Sequence, residues 1–262
     1  MDDADPVCAL APFIVTDVFD FCRLSDLTAF QARWVIGGLL TLAFAMFARL
    51  MRGVTNSGGL VGAVSCFVLY LCAGPGAFAA LITVFALAWI TTRLGYAHKQ
   101  KLGIAERREG RKASQVLANL GVATACAAFS ALSHNRVLFL LAMAAALSEA
   151  AADTVSSELG QAFGEKANLI TTWRPVPAGT DGAVSLIGTL AGVVAAGMVS
   201  CVCVLGGLLP RQWLAISAGA AILGMVADSF LGAWLERRNL VNNDSVNFLG
   251  TLVAALAAFW LA

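Results

Sequence analysis

The stretch RVLFLLAMAAALSEAAADTVSSELG, Arg136 to Gly160, decides how this chain is read. From Val137 to Leu147 it holds only alanine, leucine, valine, phenylalanine and methionine; Glu149, Asp153, Ser156, Ser157 and Glu158 then crowd toward one end. A helix needs about 20 mostly apolar residues to cross a bilayer. This run is long enough, and its acids must be paired or hydrated where it leaves the apolar layer. Glu149, Asp153, Ser156 and Ser157 fall at i, i+4, i+7 and i+8, which is one stripe, while Glu158 lies on an adjacent face with Thr154. Turning an ionised carboxylate toward lipid costs about 3 kcal/mol even on the lenient insertion scale, so the stripe is expected to face the protein interior.

The whole chain follows this pattern. It is 59% hydrophobic and only 13% charged over 262 residues, with a mean hydropathy of +0.80. A soluble domain of this size would need a charged exterior, so an integral membrane protein is implied. The net charge of +1 gives no reason to expect a nucleic-acid partner. Seven cysteines fall mostly inside apolar runs without zinc-type spacing, and are read as packing residues. His98 and His134 are read as surface residues. The first 32 residues form an acidic segment without the basic start of a signal peptide.

Spans are expected at roughly 33 to 51, 57 to 73, 76 to 94, 114 to 132, 136 to 159, 183 to 207, 211 to 234 and 245 to 261. The fold class is therefore an all-α polytopic bundle of seven or eight spans, seven if the Asn-rich last segment does not cross. Thirteen of the 17 Lys and Arg residues then lie on one side, and only Arg23, Arg33, Arg136 and Arg211 on the other. Basic residues are retained in the cytoplasm, which puts the acidic segment 1–32 outside and a basic loop at 95–113 inside. Residues 33–262 form one transmembrane domain, in a bacterial inner membrane or its organellar equivalent.

The polar motifs converge on that cytoplasmic face. TNSGG (Thr55 to Gly59), GRKASQVLAN (Gly110 to Asn119), GTDG (Gly179 to Gly182) and NNDSVN (Asn242 to Asn247) open spans, whereas ADTVSSE and ADS (Ala227 to Ser229) close them. VSLIGTLAG from Val184 and VNFLGTLVA from Val246 agree at Val, Gly, Thr and Leu, and the helices before them carry ADT and ADS. Spans five-six and seven-eight thus read as related helix pairs, and repeats of this kind commonly meet at a shared binding site. The other reading of the small residues is close helix packing alone.

Carboxylates at a water-facing membrane surface suit Mg²⁺, which takes oxygen ligands and bridges phosphates. Lys, Arg and glycine-rich helix openings suit the phosphates themselves. The candidate catalytic and metal-binding residues are Asp153, Asp228 and Glu158. The candidate phosphate-binding residues are Asn56, Arg111, Lys112, Asn119, Ser157, Thr180, Asp181, Asp244 and Asn247. Capping of neighbouring helices, or pairing with Arg111 or Arg174, is the structural alternative for the acids. No Walker A or protein-kinase motif is present.

GRKASQVLANLGV, ADTVSSELG with LITTWRPVPAGTDGAVSLIGT, and DSFLGAWLE with NNDSVNFLGTL resemble, in order and spacing, the membrane family of phytyl-phosphate kinase and transmembrane protein 19. The resemblance runs from about residue 35 to the C-terminus. Asp181 departs from the small or polar residue usual before that glycine. The resemblance implies a kinase that passes a phosphoryl group from a nucleoside triphosphate, CTP first with ATP or UTP open, to an isoprenyl monophosphate. Mg²⁺, the prenyl phosphate lipid, the nucleotide and surrounding membrane lipids are the implied partners. A lipid-phosphate cytidylyltransferase and a transporter or flippase of a phosphate-bearing lipid are the competing readings.

Overall fold

The computed structural model describes residues 24–105, 109–164 and 166–262. The tail acids from Asp2 to Asp20, together with Cys8, Cys22, Arg23, Arg107 and Arg108, lie outside the described residues. The helices are α1 (Leu24–Leu50), α2 (Asn56–Ala73), α3 (Pro75–Arg93), α4 (Tyr96–Lys101), α5 (Ala113–Leu132), α6 (Arg136–Phe163), α7 (Leu186–Leu205), α8 (Leu214–Trp234) and α9 (Asn243–Leu261). Among the described residues eight helices are long and apolar enough to cross a membrane. The chain is an all-α polytopic bundle, and the Asn-rich last segment is one of the eight.

The expected boundaries hold closely for most spans, with three informative differences. α1 already begins at Leu24, inside the segment expected to precede the first span. α6 continues to Phe163, past the acidic motif, so the acids sit within regular helix. The sixth span starts at Leu186 because Ala183–Val184 (β3) pairs with Ala167–Leu169 (β1), which also pairs with Pro175–Val176 (β2). This antiparallel sheet of order β2-β1-β3 stiffens the α6–α7 connection and holds GTDG at the bundle end.

α6 is the central post. Its apolar window is 78% buried inside the protein, against 17% for the first span. Ala142 and Ala144 to Ala146 are fully buried, and such small side chains let α3, α5, α7, α8 and α9 all pack against one helix. A Cβ built on Gly188 of α7 would lie 2.5 Å from the Ser156 carbonyl oxygen, and one on Gly192 would lie 2.9 Å from that of Ala152. On α9, a Cβ on Gly250 would lie 2.6 Å from Glu149 Oε1 and 3.1 Å from Asp228 Oδ2. The glycines matched between the two repeats are thus both points of closest helix approach. Ser148, Ser200 and Ser217 tie α6, α7 and α8 together through buried hydroxyl contacts of 2.9 Å each. Leu39, Leu42, Leu60, Leu190 and Leu256 are exposed on the outside, as a lipid-facing surface requires.

Candidate active site

The stripe on α6 faces inward, as its charge demands, and meets a matching stripe on α8. Asp153, Ser156, Ser157 and Gly160 line one wall of a recess of ≈120 Å³; Asp228, Ser229, Gly232 and Glu236 line another. Glycines 179 and 182, with Thr180 and Asp181, form the lid edge, and Asn243 at the start of α9 closes the side. Gly182 has φ +72° and a Cβ there would lie 2.4 Å from Ala233, so only glycine lets the loop touch α8 this closely. Thr180 Oγ1 donates to the Pro177 carbonyl at 2.8 Å, and the Ser185 hydroxyl caps α7 by accepting from Gly188 N at 3.1 Å.

Asp153 and Asp228 face each other across this recess, one from each repeat, each close enough to feel the other's charge. Asp228 Oδ2 and Glu149 Oε1 are buried without a hydrogen-bond partner. Two facing carboxylates, with Glu149 one turn below, require a proton or a cation between them. Glu236 adds a further acid that feels Asp181, Asp153 and Asp244. On the opposite flank, the Arg111 guanidinium acts on Asp153 and donates from Nη2 to Thr154 Oγ1 at 3.2 Å.

Mg²⁺ is bound by one or two carboxylates plus waters and substrate phosphates, not by an all-protein cage. The Asp153–Asp228 pair, with an unpartnered buried oxygen, fits that mode. Among the described residues no three His, Cys, Asp or Glu side chains are arranged to hold a metal by themselves.

The structure brings Asp153, Asp228, Ser157, Thr180 and Asp181 together, with Asp244 and Arg111 close by. Glu158 is a correction to the expected metal set. Five residues advance a helix by about 140° beyond one turn, so Glu158 leaves the Asp153 side. It faces α3 and α4 instead, where it pairs with the buried Lys99 ammonium and accepts from Thr92 Oγ1 at 3.0 Å. Lys99, expected in a solvated basic loop, is fully buried and also donates to the Thr91 and Thr92 carbonyls. Asn56 is exposed and held by Arg49 Nε at 2.6 Å. Asn119 is buried on α5, donates to the Gln115 carbonyl at 2.8 Å, and lines a different cavity. Lys112 is exposed at the start of α5, and Asn247 lies a turn into α9, outside the recess lining. Glu236 escaped sequence reasoning, although it stands eight residues after Asp228 and so on the same side as a helical repeat would place it.

Residues 39–255 match the family described as integral membrane protein DUF92. The chain belongs to this family. It is the family of phytyl-phosphate kinase to which the motifs pointed. Similar proteins include an uncharacterized membrane protein of Methanocaldococcus jannaschii, 31% identical over 226 residues that cover 86% of this chain and 92% of that one. Protein VTE6, chloroplastic, of Arabidopsis thaliana is 31% identical over 79% of this chain and 66% of its own. An uncharacterized membrane protein of Synechocystis is 33% identical over 73% and 76%. No solved structure matches the chain.

Proposed function

We propose that the protein is a membrane-embedded isoprenyl-monophosphate kinase that uses a nucleoside triphosphate, CTP in the first instance, and works at the cytoplasmic face. The observation that carries this reading is the Asp153–Asp228 pair, set between a glycine-rich loop and the Arg111 guanidinium at one end of the bundle. The resemblance of the motifs to the phytyl-phosphate kinase family supplies the substrate class. The Lys and Arg asymmetry of the connections supports the sidedness.

The acceptor phosphate is already anionic near neutral pH, so no strong general base is needed. A phosphate oxygen of the prenyl phosphate forms a bond to the γ-phosphorus. The bond from that phosphorus to the β–γ bridging oxygen breaks, and the nucleoside diphosphate leaves with the electron pair. The protein then has to position the two phosphates in line and spread the developing charge. Asp153 and Asp228 would hold Mg²⁺, which when bound neutralises phosphate charge and favours departure of the diphosphate. Arg111 supplies positive charge from the opposite flank. The Thr180 to Gly182 loop and the start of α9 bound the space left for the nucleotide phosphates.

Purified protein in detergent is incubated with geranylgeranyl or phytyl monophosphate, Mg²⁺ and each nucleoside triphosphate in turn. Prenyl diphosphate and a nucleoside diphosphate are the expected products. Release of pyrophosphate would identify a cytidylyltransferase, and no turnover of any prenyl phosphate would remove both enzymatic readings.

A further inference from the structure

Apart from the acidic recess, a cavity of ≈390 Å³ opens among α1, α2, α3 and α5. That volume is within the range of small-molecule sites, about 300–1,000 Å³. Its depth is walled by Phe44, Leu81, Val84, Phe85, Val116 and Leu120. Arg52, Arg93 and Arg111 stand around its polar end, and among the described residues no carboxylate lines it. An apolar bore with three arginines at its polar end complements an amphiphile with a hydrocarbon tail and an anionic head.

The polar end is built rather than incidental. Arg111 N–H donates to the Gly53 carbonyl at 3.0 Å, and the Arg111 carbonyl accepts from Thr55 N at 3.0 Å, which staples the α5 entry to the α1–α2 turn. Gly110, at φ +89°, makes this possible, since a Cβ there would lie 2.5 Å from Val54 N. Arg52 holds a left-handed backbone at φ +54°, uncommon for a residue with a side chain. Arg93 stacks 4.0 Å from the Trp89 ring centroid and donates from Nη2 to the Met51 carbonyl at 2.6 Å; Trp89 Nε1 donates to the same oxygen at 3.0 Å. Arg111 also contacts Thr154, the residue after Asp153, so a head group held by Arg111 lies beside the acidic recess.

We propose that this cavity is the acceptor site: it encloses the tail of a single-chain prenyl phosphomonoester, whose phosphate is held by Arg52, Arg93 and Arg111. The identity of the tail rests on the prenyl-phosphate reading above; the site itself follows from the apolar bore and its cationic end. Acceptor and nucleotide then enter through separate openings and meet at Arg111. Asn119, expected from the sequence to bind phosphate, lines this acceptor cavity and not the nucleotide recess.

The test is photolabelling of the full-length protein in detergent, without nucleotide, by geranylgeranyl monophosphate carrying a diazirine at its chain terminus. Labelled peptides should map to α2, α3 or α5 around Val84, Phe85 and Leu120. Unlabelled geranylgeranyl monophosphate should suppress the label at least about 10-fold better than geranylgeraniol, as charge-assisted contacts to a phosphate require. Arg52→Ala should weaken labelling and, in the turnover assay, raise KM for the prenyl phosphate about 10-fold with KM for the nucleotide unchanged. Gly62→Phe should block the cavity and abolish labelling; folding is checked independently by the elution profile in detergent. Labels on the α7–α9 side, equal competition by the alcohol, or equal competition by two-tailed phosphatidic acid would overturn the assignment. Because labelling needs no nucleotide, these outcomes are distinct from failure of the kinase reading, which shows as absent turnover with labelling intact.

Discussion

Lys99→Met is expected to destabilise the protein severely while sparing the chemistry of the molecules that stay folded. The Lys99 side chain is wholly buried and that of Glu158 only 10% exposed, so each charge depends on the other. Removing the ammonium leaves Glu158 with Thr92 Oγ1 as its remaining described partner and takes donors from the Thr91 and Thr92 carbonyls. Breaking a buried pair from one side costs about 3–5 kcal/mol. At about 2–4 °C per kcal/mol for a chain of this size, the midpoint of thermal unfolding in detergent should fall by roughly 6–20 °C. Glu158→Gln should fall comparably, and Lys99→Met with Glu158→Gln should recover part of the loss, because no uncompensated charge then remains. At a temperature where all variants are folded, kcat and the Mg²⁺ requirement should match the parent protein. A Glu158→Gln variant that is fully stable but has lost Mg²⁺-dependent turnover would refute the reasoning and return Glu158 to the metal site.

The recess acids should behave in the opposite way. Asp153→Asn and Asp228→Asn should each lower kcat by 10³-fold or more, with thermal stability unchanged or raised, since each removes one of two facing like charges; prenyl-phosphate turnover and melting in detergent measure both. Glu236→Gln removes an acid near Asp153 and Asp181, and should raise the Mg²⁺ concentration for half-maximal rate severalfold without abolishing turnover. Gly188→Val should prise α7 from α6, because its Cβ would meet the Ser156 carbonyl at 2.5 Å, and should be read as loss of extractable folded protein. Ser200→Ala cuts the Ser148–Ser200–Ser217 chain and should cost about 0.6–1.7 kcal/mol, measured as a modest fall in melting temperature.

The spans were legible because apolar length is a direct consequence of bilayer thickness, and the placement of Asp153 and Asp228 was legible because helical period and the cost of exposing charge to lipid both constrain it. Glu158 was misjudged for a specific reason. It belongs to the same short motif as Asp153, and only the angular step around α6, together with the approach of Lys99 from 59 residues away, separates the two. A buried lysine inside a run as polar as HKQKLG leaves no local signal. The short β-sheet was equally hidden, since two- and three-residue strands carry no periodicity and exist because the α6–α7 connection folds back on itself. Glu236 was concealed by its neighbours Arg237 and Arg238, which made it look like part of a solvated charged turn.

The two helix pairs give the acidic pair its structural logic. In each pair a glycine of the later helix presses against the earlier one, Gly188 on the Ser156 backbone and Gly250 on Glu149 and Asp228, so the acids of α6 and α8 are held at the spacing of closely packed helices. Gly224 adds a third such approach, with a Cβ position 2.7 Å from Glu149 Cγ and from the Gly250 carbonyl oxygen. Helices this close leave little room for Asp153 and Asp228 to move apart when both are charged. The pair is therefore held together by a proton or, in the proposed reaction, by the divalent cation that would take its place. Arg52, Arg93 and Arg111 gather the opposite charge at the polar end of the apolar cavity. Arg111, which lines the cavity and donates to Thr154 beside Asp153, links the two charge clusters, and in the proposed reaction it is where the two phosphates would meet.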